Sequence, residues 1–224
     1  MTIIDVTGRY PLASVWWRGI YSSADITDIT LHHTAMGELP STASEDDELA
    51  VLDCIYAFHV NTRGFGGIGY HGVGFPSSRA YLTSPMTRWG AHVADENNHL
   101  WGFAAAGNHT NSIPSQGTLE ALAELIANAD GMKGTELPLR PHLYWGGTTC
   151  PGNRWQEWVP QLRDYIQEEE MPLSQGDLDL IARVFRKESD SYVLPKVKRI
   201  VMAQIEAQVP AIVREEIDKS KITS

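Results

Sequence analysis

The chain has 224 residues, 42% of them hydrophobic and 21% charged, which is enough for one sizeable core, short of two full domains, and unlike collagen, a disordered chain or a pure coiled coil. Eighteen Lys and Arg against 28 Asp and Glu leave a net charge of −10, which argues against a nucleic-acid partner bound through its phosphates. No apolar run approaches the roughly 18 residues of a membrane span, residues 1–12 lack the basic start and apolar centre of a secretory signal, and two cysteines are too few for a disulfide framework.

Residues 26–33, Ile-Thr-Asp-Ile-Thr-Leu-His-His, are rich in β-branched side chains and predict a largely buried strand that ends in two polar rings. A polar loop with Gly37 and Pro40 follows. The acidic run Glu45 to Glu48 suits a helix N-terminus, and Val51, Ile55 and Phe58 continue at helical spacing to about Asn61, with Cys54 as a buried free thiol on the inward side. Gly64, Gly66, Gly67 and Gly69 mark a turn-rich entry into a strand over residues 70–75, and residues 80–84 and 100–106 read as two more strands. Residues 118–129 form a helix with Leu119, Leu122, Leu125 and Ile126 inward, and residues 155–168 form a last one. Strands alternating with helices give an α/β class, a central mixed sheet flanked by helices.

Composition changes near residue 171. Before it lie 9 of the 18 basic and 20 of the 28 acidic residues, and after it neither Trp nor His occurs. Residues 1–171 therefore read as the main domain and residues 172–224, with net charge +1, as a helical appendage. In that tail Ser174 and Asp177 form a capping pattern, Leu178, Ile181, Val184 and Phe185 are helically spaced, and Pro210 interrupts the later run. It can pack on the main domain, self-associate into a homo-oligomer, or lie on an anionic surface through Lys196, Lys198 and Arg199; docking or association is favoured.

Three groups carry chemistry. His32 and His33 close the first buried strand, and since neighbouring strand residues face opposite ways, only one can enter a given site, as a metal ligand or as a hydrogen-bonded core ring. His142 stands eight residues before Cys150 in a loop where Gly146 and Gly147 permit a tight reversal; the pair reads either as two zinc donors or as a surface His and a free thiol. Tyr70 lies between Gly69 and His71-Gly72, where a phenol can orient water or donate to an oxyanion, or simply pack.

Together these segments resemble a known family. Ile29-Thr30-Leu31-His32-His33-Thr34-Ala35, Ile68-Gly69-Tyr70-His71, Gly90-Ala91-His92 with Asn97 and Asn98, Leu100-Trp101-Gly102-Phe103, Gly107-Asn108, and His142 with Thr148-Thr149-Cys150-Pro151-Gly152 match, in order and over roughly residues 20–168, the zinc-dependent N-acetylmuramoyl-L-alanine amidases of phage endolysins and peptidoglycan recognition proteins. The resemblance implies a mixed sheet of about six strands, a groove for peptidoglycan as partner, and hydrolysis of the amide between N-acetylmuramic acid and L-alanine. By resemblance the Zn2+ cofactor is held by His32, His142 and Cys150, and Tyr70 and Thr148 are catalytic. Thr148 stands where some phage enzymes carry a lysine, so a neutral donor replaces a cation. His92 and Trp145 are candidates to contact sugar or peptide, His59 and His71 to pack behind the site, and no glutamate matches a general base. The leading expectation is a phage or prophage endolysin made in the host cytoplasm and released to the wall by a separate pore. The alternatives are a non-catalytic recognition protein, which in this family typically lacks the cysteine ligand, and a cytosolic amidase that recycles wall fragments.

Overall fold

The computed structural model describes residues 3–13, 20 and 22–170. The domain boundary and helical tail read from residues 172–224 lie outside the described residues.

The β-branched run forms strand β2 (Asp28–His33), buried from Ile29 onward, at the heart of a six-stranded sheet. The other strands are β1 (Ile4–Asp5), β3 (Gly72–Gly74), β4 (Ala80–Leu82), β5 (Leu100–Ala105) and β6 (Leu139–Pro141), in the spatial order β1-β4-β3-β5-β2-β6. All neighbours are parallel except β3 and β4, so the sheet is mixed, as the fold class requires.

Strand alternation sorts the two faces. Ile29 and Leu31 of β2 and Trp101, Phe103 and Ala105 of β5 pack with helix α2 (Gln116–Lys133) through Leu119, Leu122, Leu125 and Ile126. On the other face, Ala104 joins Val73, Tyr81, Leu52 and Ile55 beneath helix α1 (Glu45–Ala57). Parallel strands with helices on both faces bury both sides of the sheet, which explains the nearly continuous apolar runs of β2 and β5.

Helix α1 begins at Ser44, whose side chain accepts from the Asp47 N–H at 3.2 Å while Asp47 accepts from the Ser44 N–H at 3.0 Å. Its inward face differs from the expected one. Glu48, Leu52 and Ile55 are buried, whereas Phe58 is 52% exposed and Cys54 is exposed, so Cys54 is a free surface thiol and not a core residue. Glu48 explains the rotation: it is fully buried and accepts from Ser77 Oγ at 2.5 Å, Arg79 Nε at 2.5 Å and Tyr81 Oη at 2.8 Å. A π-helical turn, Phe58–Thr62, follows.

Three boundaries also shift. The strand expected from residue 70 starts at Gly72, because the Tyr70 carbonyl accepts from Thr83 Oγ1 at 2.9 Å instead of entering the ladder. Helix α2 runs from Ser115, its cap, to Gly134, which takes the left-handed conformation at φ +78°. The last helix is split into α3 (Trp155–Trp158) and α4 (Gln161–Glu170) at Pro160, which has no N–H to continue the ladder. No helix among the described residues is long and apolar enough to cross a membrane.

Candidate metal centre

Parallel neighbours β2 and β6 end on the same side of the sheet, and this juxtaposes the first two donors. His32, 1% exposed, is the penultimate residue of β2; His142 opens the short 3-10 turn, residues 142–145, immediately after β6. Their ring centroids are 4.5 Å apart. The chain then reverses through Gly146 and Gly147, whose φ values of +95° and +72° suit glycine, and Leu143 donates to the Cys150 carbonyl at 2.8 Å to close the loop. Gly152 fixes the far end, since any Cβ there would strike the His109 carbonyl, and Asn153 donates to the Thr110 carbonyl at 2.8 Å.

The outcome is a compact donor set. One atom each of His32, His142 and Cys150 lies within 4.8 Å of the others, and His32 Nδ1 stands 3.8 Å from Cys150 Sγ. Tetrahedral zinc with one sulfur and one nitrogen ligand holds those two atoms about 3.6 Å apart. Two imidazoles, one thiol and no carboxylate make a borderline-soft set that fits zinc. His33 is not in it: its ring turns to the opposite face and accepts the His109 N–H at 3.0 Å, as alternation demands.

Electrostatics suit ligation. Burial, followed by the neighbouring rings, holds His32 well below the ordinary histidine range, and burial lowers His142 as well, so both are neutral lone-pair donors near neutral pH. Burial pushes the Cys150 thiol up to about 11, opposed by the backbone N–H of His33, which donates to Sγ at 3.4 Å.

Tyr70 borders this set. Its half-buried ring lies 5.2 Å from that of His32 and 5.4 Å from that of His59, between centroids. Burial and the Cys150 charge raise its pKa, so the phenol keeps its proton. The segment carrying it is pinned by His59, whose Nδ1 accepts the Gly69 N–H at 3.1 Å, and by Ala91, which donates to the Gly69 carbonyl at 3.0 Å. Thr148 is half-buried two residues before Cys150, and its Oγ1 accepts the Cys150 N–H at 3.1 Å, which leaves the hydroxyl proton available.

The remaining candidates divide. His71 is a structural ring: Nδ1 accepts the Gly102 N–H at 3.0 Å and Nε2 donates to the Arg88 carbonyl at 2.9 Å. His92 is 8% exposed and its Nδ1 lies 3.1 Å from His32 Nε2. Trp145 is half-buried, donates to Thr30 Oγ1 at 3.0 Å and packs edge-on against Tyr144, itself 56% exposed and stacked by Arg140. Sequence reasoning missed Glu48 and the His33–His109 bond; a helix N-terminal acid and a loop histidine carry no local signal of what they will meet.

The family model described as N-acetylmuramoyl-L-alanine amidase matches residues 22–153. The pig protein named N-acetylmuramoyl-L-alanine amidase is 30% identical over 128 residues, which are 55% of this chain but 21% of that protein. The peptidoglycan-recognition protein SC1a/b of Drosophila simulans is 28% identical over 130 residues, 57% of this chain and 69% of its own. Among solved structures, bumblebee PGRP-SA aligns with a TM-score of 0.61 at 22% identity, covering 71% of this chain and 93% of that one. The Ph2119 endolysin of a Thermus scotoductus bacteriophage aligns with a TM-score of 0.55 at 24% identity, covering 74% and 99%. These two likenesses carry the fold alone.

Proposed function

Because the chain belongs to the N-acetylmuramoyl-L-alanine amidase family, we propose that it is a zinc-dependent peptidoglycan hydrolase that cuts the amide between N-acetylmuramic acid and L-alanine. The observation that carries this reading is the His32–His142–Cys150 set, complete and within 4.8 Å, beside a protonated phenol.

His32, His142 and Cys150 hold the metal, the two rings as neutral donors and Cys150 after losing its proton. Zinc, when bound, supplies a Lewis acid for the scissile carbonyl and acidifies a water toward a pKa of about 7. Tyr70 acts as a hydrogen-bond donor that orients the attacking water or the substrate carbonyl. Thr148, its oxygen already anchored on the Cys150 N–H, turns its proton toward the oxygen on which charge develops. Hydrolysis adds water across the amide and leaves a lactyl carboxylate and a free L-alanine amine. The donor set holds no carboxylate, so none of its members is assigned as general base.

An endolysin setting is supported by the two free cysteines, Cys54 and Cys150, which suit synthesis in a reducing compartment. A peptidoglycan-recognition role is the second reading, favoured by the 28% identity with the Drosophila simulans protein named peptidoglycan-recognition protein SC1a/b.

The test is zinc content together with digestion of purified sacculi by wild type, Cys150→Ser and Tyr70→Phe. One zinc per wild-type chain, lost in Cys150→Ser, with new L-alanine amino termini and no new reducing sugar ends, is the expected result. Zinc-free wild type that binds sacculi without cutting them overturns the enzyme in favour of recognition.

A further inference from the structure

We infer that His92 is a positioning residue of the metal centre: its Nδ1 accepts the Nε2–H of His32 and thereby fixes which nitrogen of His32 is offered to the metal. The inference rests on the zinc reading above and concerns a residue that a sequence-level comparison offers to the substrate.

The geometry is a three-member line. On one side of the His32 ring Nδ1 stands 3.8 Å from Cys150 Sγ, and on the other Nε2 stands 3.1 Å from His92 Nδ1. A ring that gives Nδ1 to a metal must carry its proton on Nε2. That N–H needs an acceptor, because His32 is shut off from water. His92 Nδ1 is the acceptor in place, which puts the proton of His92 on the buried Nε2.

The surroundings are shaped to hold this ring. In the β2–β5 register Gly102 lies opposite Thr30, on the face that carries His32, and a Cβ on Gly102 would come within 2.6 Å of His92 Cγ and Nδ1. A Cβ on Gly90 would collide with His92 Cδ2. The two glycines thus leave the volume that the imidazole fills. Asn97 locks the backbone from the other side, its Oδ1 accepting the N–H groups of His92 and Val93 at 2.9 and 3.0 Å.

The choice of a neutral acceptor has a chemical consequence. A carboxylate in this place would push negative charge through His32 onto the metal, whereas an imidazole leaves the Cys150 thiolate as the one anionic donor. The centre keeps more of its Lewis acidity.

The experiment compares wild type, His92→Leu and His92→Asn as full-length chains, measuring zinc stoichiometry, zinc affinity by chelator competition, and the thermal midpoint of each metal-free form. The Asn side chain places an oxygen near the position of Nδ1. Expected are about 10- to 100-fold weaker zinc binding in His92→Leu, substantial recovery in His92→Asn, and no parallel pattern in the metal-free midpoints. Equal affinity in all three, or equal losses in both variants, overturns the inference while leaving the zinc reading intact. Wild type that takes up no zinc overturns the zinc reading itself. Nitrogen-15 NMR of the wild-type zinc protein gives a readout independent of variant folding: the expected tautomers are Nε2–H on both rings, and a proton on His92 Nδ1 overturns the assignment.

Discussion

His33 meets Cys150 through its backbone and not through its ring: the His33 N–H donates to Cys150 Sγ at 3.4 Å while its imidazole serves His109 on the other face of the sheet. The His-His pair therefore contributes twice to one centre, His32 with its ring and His33 with its peptide group. A peptide donor to sulfur favours the thiolate, the form that ligates a metal.

Zinc uptake should depend on pH through that sulfur. Burial pushes the free Cys150 thiol up to about 11, so binding must expel its proton, whereas His32 and His142 are already neutral. Affinity rises with pH, at least about tenfold per unit between roughly pH 6.5 and 8. Chelator competition across that range, with proton release measured in weakly buffered solution, should return one proton per zinc from the thiol and a further one as pH passes about 7, where the acidified water ionises; a flat profile contradicts the thiol as ligand.

The metal-free protein should be acid-labile for a different reason. Burial holds His59 and His71 at about 4, against about 6.5 in an unfolded chain. Between those values the unfolded state binds protons that the folded state refuses, so stability is lost as pH falls from about 6.5 toward 4, with His71 contributing on the order of 3 kcal/mol. Urea midpoints at several pH values check the slope, and His71→Asn, which keeps an acceptor for the Gly102 N–H, should make it shallower.

Glu48→Ala should destabilise the fold by about 3 kcal/mol, because buried Tyr81 and the partly buried Ser77 and Arg79 all lose the acceptor they share. Adding Arg79→Met should cost less than its separate effect predicts, since the stranded charge is removed. Denaturant midpoints of the two single variants and the double variant provide the check; strict additivity rules out the network.

Thr148 separates a hydroxyl's role from a methyl's. Thr148→Val keeps the shape, loses both the anchor on the Cys150 N–H and the proton for the oxyanion, and should lower kcat about 100-fold with KM little changed. Thr148→Ser should retain most of the rate. Equal rates in all three forms would remove Thr148 from the reaction.

Much of this was legible in the sequence because the signals are local. A β-branched run announces β2, a pair of glycines announces the reversal before Cys150, and strand alternation admits one of His32 and His33 to a site. What escaped was set by distant partners. On α1 the helical spacing places Ile55 inward as found, but Phe58 and Cys54 face solvent, because Ser77, Arg79 and Tyr81, about 30 residues on, make Glu48 an inward residue. The split at Pro160 was readable from the proline and was read through as one helix. His92 was visible as a motif residue, but its orientation toward His32 depends on the bare surface of Gly102.

The donor atoms of His32 and Cys150 are separated by 118 residues of chain. A polypeptide emerging from a ribosome exposes the first histidine long before the cysteine that completes the set, and β6, which seats His142, follows every other strand of the sheet. The donor set is therefore completed only after every strand of the sheet has emerged, with α3 and α4 still to follow.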